Sequence, residues 1–232
     1  MKIESLPWEL IRDELNEKGF ATIPGLLDVT ACDQLIASYA KKNLYRKTVV
    51  MERHRFGFGE YKYFNYPLPT IIQELRTKLY PNLVSIANQW MRVFNIDRQY
   101  PYDHETFLSS CHKHGQQKPT PLILKYGSGG YNTLHQDLYG SEYFPLQLVV
   151  FLSQQGTDYE GGEFVITEQV PRSQSKATVI NLQKGDALLF ATSYRPVKGT
   201  RGYYRANLRH GVSEVSSGNR YAMGIIFHDA TS

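Results

Sequence analysis

From residue 118 onward the chain is a succession of short apolar runs separated by turn residues, with no helical stretch among them. Leu146 to Leu152 reads as a continuous apolar run, and Gly162 to Thr167 alternates. Ala177 to Leu182 and Asp186 to Ala191 flank the turn Gln183-Lys184-Gly185. Tyr203 to His210 and Tyr221 to Phe227 follow, with Ser217-Gly218-Asn219 between them. Short strands at regular spacing, without crossover helices, predict two packed sheets in a sandwich or jelly roll. The fold class expected is therefore mainly β with flanking helices, a jelly-roll core behind an N-terminal helical region.

The first strands of this set carry the candidate chemistry. Pro121 to Leu124 reads as a buried strand ending at Lys125 and Tyr126, and the glycines at 127, 129 and 130 mark a turn. Tyr131 to Gln136 can extend again, with His135-Gln136-Asp137 at its end. Residues i and i+2 of a strand share a face, so this imidazole and carboxylate can grip one ion. A neutral nitrogen with an anionic oxygen suits a divalent first-row metal such as iron. The alternative is a turn histidine bonded to the neighbouring aspartate, and a third ligand decides between the two. His210 ends a later strand, in Leu208-Arg209-His210-Gly211-Val212, with a glycine after it to open room beside a metal. Arg220 lies at the start of the last strand, and a hairpin would bring it beside His210. Two histidines and one carboxylate with three open positions form the facial triad of non-haem iron oxygenases. A nearby guanidinium, with its planar fork, suits a bidentate carboxylate partner.

Composition bounds the rest. At 232 residues the chain can bury one sizeable core, and 41% apolar with 21% charged residues is ordinary for a globular protein. No apolar stretch is long enough for a membrane helix, and the N-terminus lacks a secretory leader pattern. Only Cys32 and Cys111 are present, which excludes a disulfide framework or a thiolate zinc site and fits a reducing, cytoplasmic setting. A net charge of +4 permits a nucleic-acid partner without demanding one.

The first half reads as mostly helical. Trp8, Ile11 and Leu15 share a helical face that starts near Pro7 and closes at Gly19, before a short strand through Ile23. Thr30 and Asp33 resemble a capping pair opening a second helix. Apolar residues recur at helical spacing from Thr70 to Phe94, and Pro81 predicts two helices abutting there. A last helix is expected from His104 to His114. Between these lies Tyr45 to Tyr66, where Arg46, Lys47, Arg53, Arg55 and Lys62 interleave with aromatic residues including Tyr61 and Tyr63. Cations for phosphates beside rings for bases make Arg53, Arg55, Tyr61 and Tyr63 candidate substrate residues on a lid. The alternative is a hairpin whose rings pack on the core. Cys111-His112-Lys113-His114 offers a weaker metal candidate. His228 reads as structural or as a support to the ligands, and Glu163 as a partner for backbone donors in its glycine turn. Arg195, Lys198, Arg201 and Arg205 read as a basic loop, solvated or reaching phosphates.

Taken in order, Tyr126, His135-x-Asp137, Gly161-Gly162-Glu163-Phe164, Gly185-Asp186-x-Leu188-x-Phe190, His210-Gly211-Val212 and Gly218-x-Arg220 resemble the iron(II)/2-oxoglutarate dioxygenases. That match, to a prolyl-hydroxylase-like core, spans 118 to 230. LHQDLYG, FPLQ, GGEF, RPVKGTRG, NLRHGVS, GIIFHDA and FGFGEYKYFNYPLP resemble, over nearly the whole chain, a prokaryotic family of these oxygenases with an AlkB-like role on damaged nucleic acid. The resemblance implies a double-stranded β-helix, with Fe(II), 2-oxoglutarate and O2 as cofactor and cosubstrates. It implies His135, Asp137 and His210 as iron ligands, Arg220 on the distal carboxylate of 2-oxoglutarate, and Tyr126 as a second donor. Residues 1–117 would form the helical region with its lid and 118–232 the oxygenase core, in one compact unit. The expected partner is single-stranded or damaged nucleic acid, undergoing oxidative demethylation, with no membrane and no obligate protein partner. The alternative is hydroxylation of a protein or small molecule.

Overall fold

The computed structural model describes residues 3–138 and 140–232. The first half of the chain runs α1 (Trp8–Lys18), β1 (Phe20–Ile23), α2 (Val29–Ser38), β2 (Tyr45–Val50), β3 (Gly57–Phe58), β4 (Glu60–Phe64), α3 (Thr70–Val93) and α4 (His104–Lys113). Strands follow without further α-helix among the described residues. They are β5 (Leu122–Tyr126), β6 (Tyr131–His135), β7 (Leu146–Phe151), β8 (Tyr159–Gly161), β9 (Phe164–Gln169) and β10 (Lys176–Ile180). The last are β11 (Ala187–Ala191), β12 (Tyr194–Gly199), β13 (Gly202–Val212), β14 (Val215–Gly218) and β15 (Arg220–Ile226).

The strands form two facing antiparallel sheets, the jelly-roll arrangement expected from their spacing. The larger has the order β1-β11-β7-β15-β5-β4-β2, and the smaller β10-β9-β13-β6-β3 with β12 paired to β13. A third, two-stranded sheet joins β14 to β8. The strands of the first half thus lie at the edges of the sheets built by the second half. Strand alternation decides what each face buries. Along β15, Arg220, Ala222, Gly224 and Ile226 face the space between the sheets. Ile123 and Met223, buried on the outer face, belong to the same apolar cluster as Leu79, Leu83 and Ala87 of α3.

Three local expectations are corrected. Residues 70–93 form one helix through Pro81, not two. Pro81 is exposed, so water can meet the carbonyl that loses its amide, while Ile72, Leu75, Leu79, Leu83 and Trp90 remain buried on either side. Burying each such side chain contributes roughly 1.5–3 kcal/mol, which together outweighs a proline cost of about 3 kcal/mol. The second helix is capped by Asp28, whose carboxylate accepts the Ala31 amide at 2.8 Å, rather than by Thr30 with Asp33. The basic stretch from Arg195 to Arg205 is a hairpin of β12 and β13, and buried Arg195 is occupied by Glu168 at 2.6 Å and the Asn16 carbonyl at 3.0 Å.

Candidate metal centre and substrate cavity

His135 ends β6 and His210 lies opposite it in β13, the two being direct cross-strand partners. Asp137 follows two residues after His135, its amide donating to the Thr192 carbonyl at 3.2 Å. The result brings His135 Nε2 to 3.5 Å from Asp137 Oδ1, and His210 Nε2 to 3.3 Å from Asp137 Oδ2. All three donor atoms lie within 4.8 Å of one another, the one such metal-competent group among the described residues. Ligand atoms at right angles around one ion, each roughly 2.1 Å from it, are about 3 Å apart, so small adjustments would seat a cation.

The surroundings set up each donor. His135 Nδ1 lies 2.7 Å from the Thr133 carbonyl, a contact that requires N–H there and leaves the Nε2 lone pair for a metal. Burial and then the neighbouring His210 push the His135 pKa down, favouring the neutral ring a metal needs. Gln147 donates from Nε2 to Asp137 Oδ2 at 2.7 Å and so orients the carboxylate. The His210 ring is packed by Phe164 (centroids 5.8 Å) and Phe190 (4.7 Å). Gly211 serves strand approach rather than metal access: a Cβ there would lie 2.7 Å from the Asn132 carbonyl of β6.

At the other end of the same cavity stands Arg220, only 1% exposed. Its Nε and Nη2 have no hydrogen-bond partner among the described residues, and the same holds for the buried Tyr126 hydroxyl. Tyr126 pairs across the strands with Arg220. Its ring and that of Phe151 each lie 5.5 Å from the guanidinium carbon, with Tyr159 at 5.9 Å. Burial pushes the Tyr126 pKa up to about 12 against the pull of Arg220, which keeps the hydroxyl a neutral donor. A buried cation with idle donors is costly unless an anion completes it. Gly162 makes the room, since at its φ of +63° a Cβ would lie 3.0 Å from Arg220 Cδ. The donors and the triad therefore fit a small dicarboxylate lying beside a metal ion.

The cavity joining these ends measures about 230 Å³. Tyr61 and Tyr63, two apart on β4, share the inner face and line it, their rings edge-on at 5.4 Å. Arg53 and Arg55 do not line it; they are exposed on and beside the turn Met51–His54. Tyr45 to Tyr66 is thus a hairpin whose inner rings reach the cavity, and two of its cations are already engaged. Arg46 sits 4.6 Å from the Tyr63 ring centre, and Lys62 sits 4.0 Å from that of Tyr39.

The other candidates have structural partners. His112 Nε2 lies 2.8 Å from Asp229, and His114 Nδ1 lies 2.9 Å from the Ser110 carbonyl, so neither joins the triad. Buried His228 accepts the Phe144 amide at 3.1 Å. The Glu163 carboxylate takes the Ser213 hydroxyl and, at 3.0 Å, the Gln155 amide, side-chain donors in addition to its own backbone N–H. Sequence reasoning missed Gln147 and Tyr159; the one polar residue in the run Leu146 to Leu152 was a usable signal for the first.

A family model described as an oxygenase catalysing oxidative methylation of damaged DNA matches residues 59–230. The chain belongs to this oxygenase family. An uncharacterized protein found in two strains of Mycobacterium tuberculosis is 47% identical over 167 residues, 72% of each chain. Among solved structures, a Pseudomonas putida prolyl-4-hydroxylase superposes with a TM-score of 0.57 at 11% identity, covering 94% of this chain and 97% of that one. A 2OG-Fe(II) oxygenase family oxidoreductase from Burkholderia pseudomallei gives 0.58 at 14% identity, covering 98% and 95%. The family is one of oxygenases, the fold is shared with a 2OG-Fe(II) oxygenase family oxidoreductase, and the His135, Asp137 and His210 donor set fits a divalent metal such as Fe(II). No helix of the described chain is long and apolar enough to cross a membrane.

Proposed function

We propose that this oxygenase removes N-linked methyl groups from damaged single-stranded nucleic acid. The observation that carries the reading is a family whose description names damaged DNA, combined with a cavity walled by Tyr61 and Tyr63 next to the triad. In this reading His135, Asp137 and His210 hold the iron, with Asp137 as the anionic ligand, steadied by Gln147. Arg220 and Tyr126 bind and orient the distal carboxylate of 2-oxoglutarate, satisfying donors that have no hydrogen-bond partner among the described residues. Bound Fe(II) with 2-oxoglutarate supplies O2 activation, decarboxylation to succinate and CO2, and hydroxylation of a substrate C–H bond. Tyr61 and Tyr63 hold a flat base by stacking and keep water from the reacting carbon. The hydroxylated N-methyl group is a carbinolamine. Its C–N bond breaks to release formaldehyde, and the hydroxyl proton passes to the base nitrogen. Oxygen insertion removes a methyl group; adding one would need a methyl donor, for which the oxygenase cofactor set has no place.

Arg53 and Arg55 are assigned to phosphates near the mouth, within reach of solvent-exposed backbone. The test is succinate formation with N-methylated single-stranded DNA, the same RNA, and peptide libraries. Coupled succinate and formaldehyde from either nucleic acid supports the proposal. Turnover confined to peptides would overturn it in favour of a protein hydroxylase.

A further inference from the structure

The cavity is too small to take more than the reacting end of such a substrate. At about 230 Å³ it falls below the roughly 300–1,000 Å³ of ordinary ligand pockets. Its inner end at Arg220 is given to the cosubstrate, so one flat group fits between there and the tyrosines. The sugar-phosphate chain and neighbouring bases have to lie outside.

A second groove, of about 440 Å³, opens where they would lie. It shares Phe56, Tyr61 and Tyr63 with the cavity and continues past Lys47 and His54. The sheet explains the continuity. β2 is the terminal strand, with Lys47 directly opposite Tyr63 and Val49 opposite Tyr61. Opposed residues share a face, so the surface that lines the cavity runs on for one more strand. His54 and Phe56 stack with centroids 5.3 Å apart and planes at 23°. The Phe56 carbonyl accepts both the amide and the hydroxyl of Thr133, each at 2.9 Å, two residues before His135. The stack is thereby held at a fixed offset from the metal centre. Lys47 is exposed; residues 230–232 line the groove as well, and among the described residues no Asp or Glu side chain does.

We infer that this groove is a subsite for the nucleotide adjacent to the reacting one in a single-stranded DNA substrate. The His54–Phe56 stack takes its base and Lys47 its phosphate. The inference rests on the substrate reading above and extends it from one base to a strand.

The test compares an N-methylated deoxynucleoside monophosphate with a single-stranded trinucleotide carrying the same base at its centre. Dissociation constants are measured under nitrogen on the full chain loaded with Fe(II) and 2-oxoglutarate, where no turnover occurs. The parent is expected to bind the trinucleotide at least about fivefold more tightly, since one stacked base alone is worth about 1–3 kcal/mol. Lys47→Ala and His54→Ala should each remove a large part of that gain and leave mononucleotide affinity unchanged. Lys47→Ala should also lower the salt slope by about 0.7, the loss of one single-strand phosphate contact. A trinucleotide preference that survives both substitutions overturns the subsite and leaves the substrate reading standing. If the parent binds neither ligand, both fall together.

Discussion

Arg220 is a guanidinium walled in by three aromatic rings, with two of its nitrogens lacking an acceptor among the described residues. A buried guanidinium with idle donors is costly unless an anion completes it, and this gives a sharp prediction. Arg220→Ala should raise the KM for 2-oxoglutarate roughly ten- to a hundredfold, the value of about 1.5–3 kcal/mol for a hydrogen bond to a charged group. Fe(II) affinity, measured anaerobically, should stay near that of the parent. Asp137 behaves in the opposite way, as the only anion of the triad. Asp137→Ala should abolish tight Fe(II) binding while the circular dichroism spectrum is retained, and an unchanged single-site affinity would remove the triad assignment. The two ligands His135 and Asp137 were legible because period two, carried just past the end of β6, puts them on one side of the chain. Gln147 was not, because its link to Asp137 depends on how the two sheets face each other, which no local pattern encodes.

At the scale of elements, α3 is tied to the segment just after β15 by a buried ion pair, Arg76 with Asp229, that spans 153 positions in the chain. Arg76 donates to the Ile226 carbonyl at 2.9 Å, the Tyr66 hydroxyl at 3.1 Å and Asp229 at 2.7 Å. Burial alone would raise the Asp229 pKa, but Arg76, His112 and Tyr66 outweigh it and hold the carboxyl below its ordinary range. Asp229→Ala leaves that guanidinium buried without its counter-charge and should cost about 3–5 kcal/mol in urea unfolding. Sequence periodicity found α3 but not this clasp, and it read Pro81 as a break because the compensating burial is tertiary. The neighbouring α4 supplies a pH response. Burial, then Arg76, push the His104 pKa down to about 4, while its Nε2 lies 2.8 Å from the Phe227 carbonyl. Unfolded, this ring takes its proton near pH 6.5. Between about 6.5 and 4 the unfolded chain therefore binds more protons, and stability falls as pH drops through that window. His104→Gln, which keeps a donor for Phe227, should flatten the decline, as followed by midpoint denaturant concentration at pH 7, 5.5 and 4.5.

For the whole molecule, the two halves of the chain share one apolar cluster, and the larger sheet takes β1 at one edge and β4 with β2 at the other from the first half. The strand succession after residue 118 made the jelly roll readable, but the extension by β4 and β2 was not, since it joins the sheet through β4 and β5, as in the pair Tyr61 and Leu124, which lie far apart in the chain. That extension brings Tyr61 and Tyr63 beside the triad and leaves a continuous inner surface running out to solvent at Lys47. A net charge of +4 is a mild bias, so under the proposed function binding would combine local phosphate contacts with stacking at the mouth. The two components separate experimentally. For a single-stranded, N-methylated oligonucleotide, affinity should fall steeply as salt rises, because each phosphate contact releases counterions. Arg53→Ala and Arg55→Ala should weaken binding and flatten that salt dependence. Tyr63→Ala should cost about ten- to a hundredfold at every salt concentration with the slope unchanged, since stacking releases no ions. Fluorescence anisotropy across a salt series reads both quantities from one titration. A salt-independent signal in the parent, or equal slopes in all variants, would remove phosphate recognition from this surface and return the cavity to an uncharged substrate.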